Sequence, residues 1–146
     1  MLYDAVEDAA SATADELHAA YLAQLRAVLD EVGVDRAADR TDVPRETLAA
    51  LTDGEAPTLT LSEAAAVVAL ADDAPDADAV AFEVRDHLLM GMTTGVLDVD
   101  TLAADLDPDV DLSGQEVQQA IEGRVDPSLR HLAAIQAVVE AAQSDR

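Results

Sequence analysis

Apolar residues recur along most of this chain at helical spacing. Leu17, Tyr21, Leu25, Val28, Leu29 and Val32 fall on one helix face, and Thr13 followed by Glu16 is a capping box that opens it. Gly33 ends that helix, and a short segment, Val34–Arg40, follows. Thr41, Asp42 and Val43 read as a turn, and Pro44 starts a helix carrying Leu48 and Leu51 that stops near Gly54. Thr60 and Glu63 form a second capping box, for a helix over 60–71. The run 72–76, with Pro75 inside it, breaks the pattern and is the best candidate linker.

The same order of events then recurs. A long helix from about Asp78 sets Val80, Val84 and Leu88 on one face with Phe82 and Leu89 beside it, and ends at 92–95. A short helix over 99–106 and a turn over 107–112 come next. Ser113 and Glu116 cap a helix with Val117 and Ile121 that stops at Gly123. Asp126 and Pro127 open the last helix, with Leu129, Leu132, Ile135 and Val138 along its face. Val43, Leu48, Leu51 and Gly54 correspond to Leu112, Val117, Ala120 and Gly123 at one constant offset. The expected architecture is all-α, about eight helices in two tandem helix-turn-helix-like pseudo-repeats, 1–74 and 75–146, each a long helix plus such a unit. The two long helices are expected to pack together and form the interface between the repeats.

Composition narrows the class. Leu, Ile, Val and Phe together number 37, enough for a core, so the chain is expected to fold despite its charge. There are 31 acidic residues against eight basic ones, every basic residue is arginine, and the formal net charge is −23. Carboxylates are spread over both halves, with no acidic tail. A lysine-free acidic surface fits a protein of molar salt, where a Debye length of about 3 Å screens carboxylate repulsion. Without cysteine there is no disulfide, thiolate nucleophile or cysteine metal site. The start lacks the basic and apolar regions of a signal peptide, and no run of 18 apolar residues occurs. The expected setting is the cytoplasm, with no membrane contact.

Segment 34–70 resembles the helix-turn-helix of lambda-repressor-like regulators, on Ala37, Ala38, Val43, Leu48, Leu51, Gly54 and the apolar run from Leu61. The second copy uses Leu102, Ala103, Leu112, Val117, Ile121, Gly123 and Leu129. The resemblance implies that the second helix of each unit lies in a major groove of double-stranded DNA. Its contact candidates are Arg40, Arg45 and Thr47 in the first unit and Gln115, Gln118, Gln119 and Arg124 in the second. Glutamine can bond an adenine edge, and arginine a guanine or a phosphate. Arginines and acids balance over 36–52, in an otherwise acidic chain. Against DNA stand the missing basic footprint and the loss of counterion release in molar salt. The alternative is a protein–protein interaction or self-association module on the same scaffold, with a protein partner or a homodimer, suggested by alanine-rich helices and by Met90 and Met92.

Nearly the whole chain is also similar to a small uncharacterised family from halophilic archaea. The residues that carry this are Met1, Leu2, Tyr3 and Asp4, then Leu88 to Thr94, then Glu116 to Gln119 and Ile121 to Arg124. That resemblance implies a high-salt setting and brings no activity with it. Catalysis and cofactors find no footing. His18, His87 and His131 are dispersed, and Glu83 with His87 is a spacing that chance supplies in so acidic a chain. Asp107, Asp109 and Asp111 begin like a calcium loop, but Leu112 and Gln118 stand where glycine and glutamate are required. No nucleophile elbow and no phosphate-binding loop occurs. The chain is expected not to be an enzyme and to hold no metal.

Overall fold

The computed structural model describes residues 2–4, 6 and 8–144. Met1, Ala5, Glu7, Asp145 and Arg146, which the reading above counted within its repeats and resemblance, lie outside the described residues. Eight α-helices and no strand make up the described chain, preceded by two 3₁₀ turns, Leu2–Asp4 and Ala9–Ser11. The helices are α1 (Ala14–Val32), α2 (Val34–Arg40), α3 (Arg45–Thr52), α4 (Leu61–Val68), α5 (Ala77–Thr94), α6 (Val99–Asp105), α7 (Gly114–Glu122) and α8 (Leu129–Ser144).

Local chemistry sets most of these boundaries. The capping boxes at Thr13, Thr60 and Ser113 are all closed: each hydroxyl accepts from the backbone N–H three residues on, and each glutamate accepts from the cap's own N–H. A cap of this kind stabilises a helix by about 1 kcal/mol. Asp76 and Asp98 cap α5 and α6, their carboxylates accepting from the N–H groups of Ala79 and Thr101. Gly54 (φ +85°) and Gly123 (φ +82°) follow α3 and α7 in the left-handed region, where a side chain would be strained. The last helix starts later than expected. Pro127 and Ser128 are held in an antiparallel bridge, so the helix begins at Leu129.

That bridge joins the halves. The Leu61 N–H donates to the Pro127 carbonyl, and the Leu129 N–H donates to the Leu59 carbonyl, each at 2.8 Å. Each strand-like pair immediately precedes a helix, α4 on one side and α8 on the other. The packing is reciprocal: α1 lies mainly on α8, and α5 lies on α4 and α8. Here the structure corrects an expectation, because the two long helices do not form the interface with each other. Tyr21, Leu25 and Leu29 of α1 and Val84 and Leu88 of α5 are buried in one continuous core, together with Leu61, Leu129, Leu132 and Ile135. Crossing helices between halves lets both apolar faces of α4 and α8 be covered, at about 1.5–3 kcal/mol for each large side chain buried. Gly91 allows the close approach of α5 to α8, since a Cβ there would sit 2.5 Å from Val139 Cγ1.

The N-terminal turn belongs to this core although nothing in its spacing announced it. Leu2 is fully buried, Tyr3 stacks on His87 with centroids 4.3 Å apart, and the Tyr3 carbonyl accepts from Gln136 Nε2 at 2.8 Å. His87 Nε2 in turn lies 2.6 Å from Glu140 Oε1.

Candidate interaction surfaces

The short helices α2 and α3, joined by residues 41–44, pack on α1; α6 and α7 pack on each other, and α7 also packs on α5. The DNA-contact candidates therefore sit on two separate helix pairs. Arg40 ends α2 and is exposed. Arg45 opens α3, exposed, and its guanidinium is ion-paired with Asp35 of α2. Thr47 is half-buried in the first turn of α3. On α7, Gln115 is exposed and Gln119 half-buried. Gln118 Nε2 donates to Glu122 Oε1 at 2.8 Å, and Arg124 Nε reaches Glu122 Oε2 at 3.3 Å. The Glu122 carboxylate thus engages two of the four candidates in the second unit.

Sequence reasoning passed over two arginines with defined structural roles. Arg26 on α1 donates from Nε to the Leu51 carbonyl and from a terminal nitrogen to the Glu55 carbonyl, each at 2.7 Å. Arg85 on α5 donates from Nε to the Ala120 carbonyl at 3.2 Å. Each long helix therefore adds an arginine donor at the C-terminal end of the short helix beside it, where Leu51 and Ala120 also accept from the N–H groups of Gly54 and Gly123. No local sequence signal marks either arginine, since its acceptors lie 25 to 35 residues away along the chain.

The surface around Arg85 differs from that around Arg26. Phe82, the chain's one phenylalanine, is 66% exposed, and Leu89, two turns further along α5, is 53% exposed. Val125, just past α7, is 46% exposed. Between α5, α6 and α7 runs a cleft of about 310 Å³ lined by Leu89, Met92, Val99 and Ile121, with Gln118 and Glu122 at its polar side. Three residues before and four after Arg26 stand Ala23 and Asp30, both exposed. The first half thus builds the same arginine cap without an apolar face, so the cap does not require Phe82 and Leu89. Of the two methionines singled out from sequence, Met90 is exposed and Met92 is buried under this cleft.

A second, polar cleft of about 300 Å³ brings His18 and His131 together with Asp15, Asp107, Asp109 and Arg130. His18 is buried, and burial, then the nearby Arg130 charge, push its pKa below the usual histidine range while Asp15 opposes them. The separate helices of the three histidines gave no hint of this pairing. His87 instead lies against Tyr3 and Glu140.

Among the described residues no helix is long and apolar enough to cross a membrane. The chain belongs to a family of unknown function, DUF5791, whose model matches residues 17–142. No curated protein and no solved structure matches it.

Proposed function

We propose that this protein is a non-catalytic interaction module that binds protein through the α5–α7 face. The observation that carries this reading is the exposure of Phe82 and Leu89 on a helix whose buried side is already complete. Leaving two such side chains in water forgoes about 1.5–3 kcal/mol each, a loss that a binding surface recovers. The position of Gln118 and Glu122 at the edge of the cleft extends the same surface and supports using them for protein contact. The reading of two tandem pseudo-repeats is favoured by the reciprocal bridge at Thr60 and Ser128 and by the paired arginine caps. On that view one repeat acquired an apolar face and the other did not.

The test is photo-crosslinking in cell extract at molar KCl, with benzoylphenylalanine at position 82 or, as control, at position 23. Position 82 should give protein adducts that unlabelled chain competes away and a Phe82→Asp/Leu89→Asp variant does not. Equal adducts from both positions, or none from 82, would overturn the reading.

DNA binding is the second reading, favoured by one observation: α2, the turn 41–44 and α3 carry Arg40 and Arg45 exposed beside the N-terminus of α3. The internal pairing of Arg45 and Arg124 and the acids around α6 and α7 make it the weaker of the two. Selection from genomic fragments at about 2 M KCl, where screening is nearly complete, decides it. A shared motif whose enrichment Arg40→Ala/Arg45→Ala abolishes would establish it, and no enrichment with folded protein would remove it.

A further inference from the structure

The α5 face carries information about its own occupant. One stripe of α5 carries Asp78, Phe82, the half-buried Arg85, Asp86, Leu89 and Thr93, while the exposed Glu83, Met90 and Thr94 lie to one side of it. Reversing that order about a point between Arg85 and Asp86 exchanges Phe82 with Leu89, Arg85 with Asp86, and Asp78 with Thr93. Apolar meets apolar, and the only cation in the row meets a carboxylate. The pattern is therefore complementary to itself in the antiparallel sense, as a two-fold interface between identical surfaces requires. Arg85 holds the Ala120 carbonyl through Nε, and its terminal nitrogens make no hydrogen bond among the described residues. Asp86 is exposed and has no ion pair among them.

We propose that a second copy of this chain occupies the face, α5 packing antiparallel on the α5 of its partner with Phe82 seated against Leu89. This rests on the interaction-module reading and names its partner. The rim explains why association depends on salt. Asp78, Glu83, Asp86 and Glu122 surround the apolar residues, and each chain carries −23. Two such surfaces repel at low ionic strength and meet only when screened. Self-association therefore rises with KCl, whereas phosphate-driven DNA binding falls with it.

The cysteine-free chain makes the register testable without altering Phe82 or Leu89. Asp78→Cys and Thr93→Cys variants are mixed in molar KCl and treated with a short bis-maleimide. The mixed 78–93 dimer should dominate over the 78–78 and 93–93 products, while Ala23→Cys cross-links no better than random collision. Light scattering on the unaltered chain should show a dimer whose fraction grows with protein and, over the KCl range in which circular dichroism shows full helicity, with KCl, and Phe82→Asp/Leu89→Asp should stay monomeric with unchanged helicity. A monomer at every concentration, or predominance of 78–78 or 93–93 products, overturns the proposal. If the chain is monomeric while photo-adducts at position 82 contain a different protein, the second copy is refuted and the interaction module stands. If neither adducts nor dimers form, both fail.

Discussion

Gln136→Leu should destabilise the protein by about 2–4 kcal/mol, measured by urea unfolding in molar KCl. Gln136 is 1% exposed in the middle of α8, and both ends of its amide are used. Its Oε1 accepts from the Tyr21 hydroxyl, and its Nε2 donates to the Tyr3 carbonyl. Leucine fits the volume but leaves the buried Tyr21 hydroxyl and the part-buried Tyr3 carbonyl without these partners, and a buried group so orphaned costs about 1–3 kcal/mol. Burial raises the Tyr21 pKa far above its ordinary range, with the Glu140 charge adding to it, so the phenol remains protonated and in need of an acceptor. Adding Tyr21→Phe to the Gln136→Leu variant should return part of the loss, because it removes one of the two orphans; a double-mutant cycle isolates that coupling. The same glutamine ties α1 and the N-terminal turn to α8, so the leucine substitution should also free the Tyr3 turn from His87. A loss under about 1 kcal/mol would show that water reaches these groups.

Removing salt should unfold the chain altogether. Few of its 31 carboxylates are neutralised: among the described residues arginine pairs with Asp35 and Glu122, and Glu140 is hydrogen-bonded to His87. At 0.01 M salt the Debye length is about 30 Å, comparable to the molecule, so every carboxylate repels every other. In molar salt it shrinks to about 3 Å and only immediate neighbours interact. Circular dichroism at 222 nm should therefore show helicity lost cooperatively as KCl is withdrawn, and regained on its return. Asp107→Asn/Asp109→Asn/Asp111→Asn should move that transition to lower salt, since three adjacent exposed charges are removed without touching the core. Full helicity with an unchanged thermal midpoint in salt-free buffer would contradict the argument.

The division of labour between sequence and structure can be read from particular residues. Helix identity was legible wherever a local rule applies. Thr13 with Glu16, Thr60 with Glu63 and Ser113 with Glu116 announce helix starts because both groups of a capping box lie within one turn. Gly33, Gly54 and Gly123 announce stops. The absence of cysteine and lysine and the charge of −23 are properties of the chain that no folding alters. What periodicity could not supply was which helix covers which. It left α1 to pair with α5, whereas α1 lies mainly on α8 and α5 on α4 and α8. Alanine-rich faces resemble one another, and the choice among them depends on close approaches such as Gly91 against Val139, fixed only in three dimensions.

The candidate site divides in the same way. Sequence placed Arg45 and the glutamines on helices and Arg124 just beyond one, and the structure then engaged Arg45 with Asp35 and Arg124 with Glu122. Phe82 and Leu89 were read only as lying beside a buried face, since helical spacing alone does not say which apolar residue a neighbour will cover. Helical phase, apolar content, caps and charge were determined by the sequence, because each acts within a turn or sums over the chain. Tertiary structure decided the reciprocal crossing of the halves, the Tyr21–Gln136–Tyr3 network and the exposure of the α5 face. Each of these depends on groups that are distant in sequence and meet only after the helices pack.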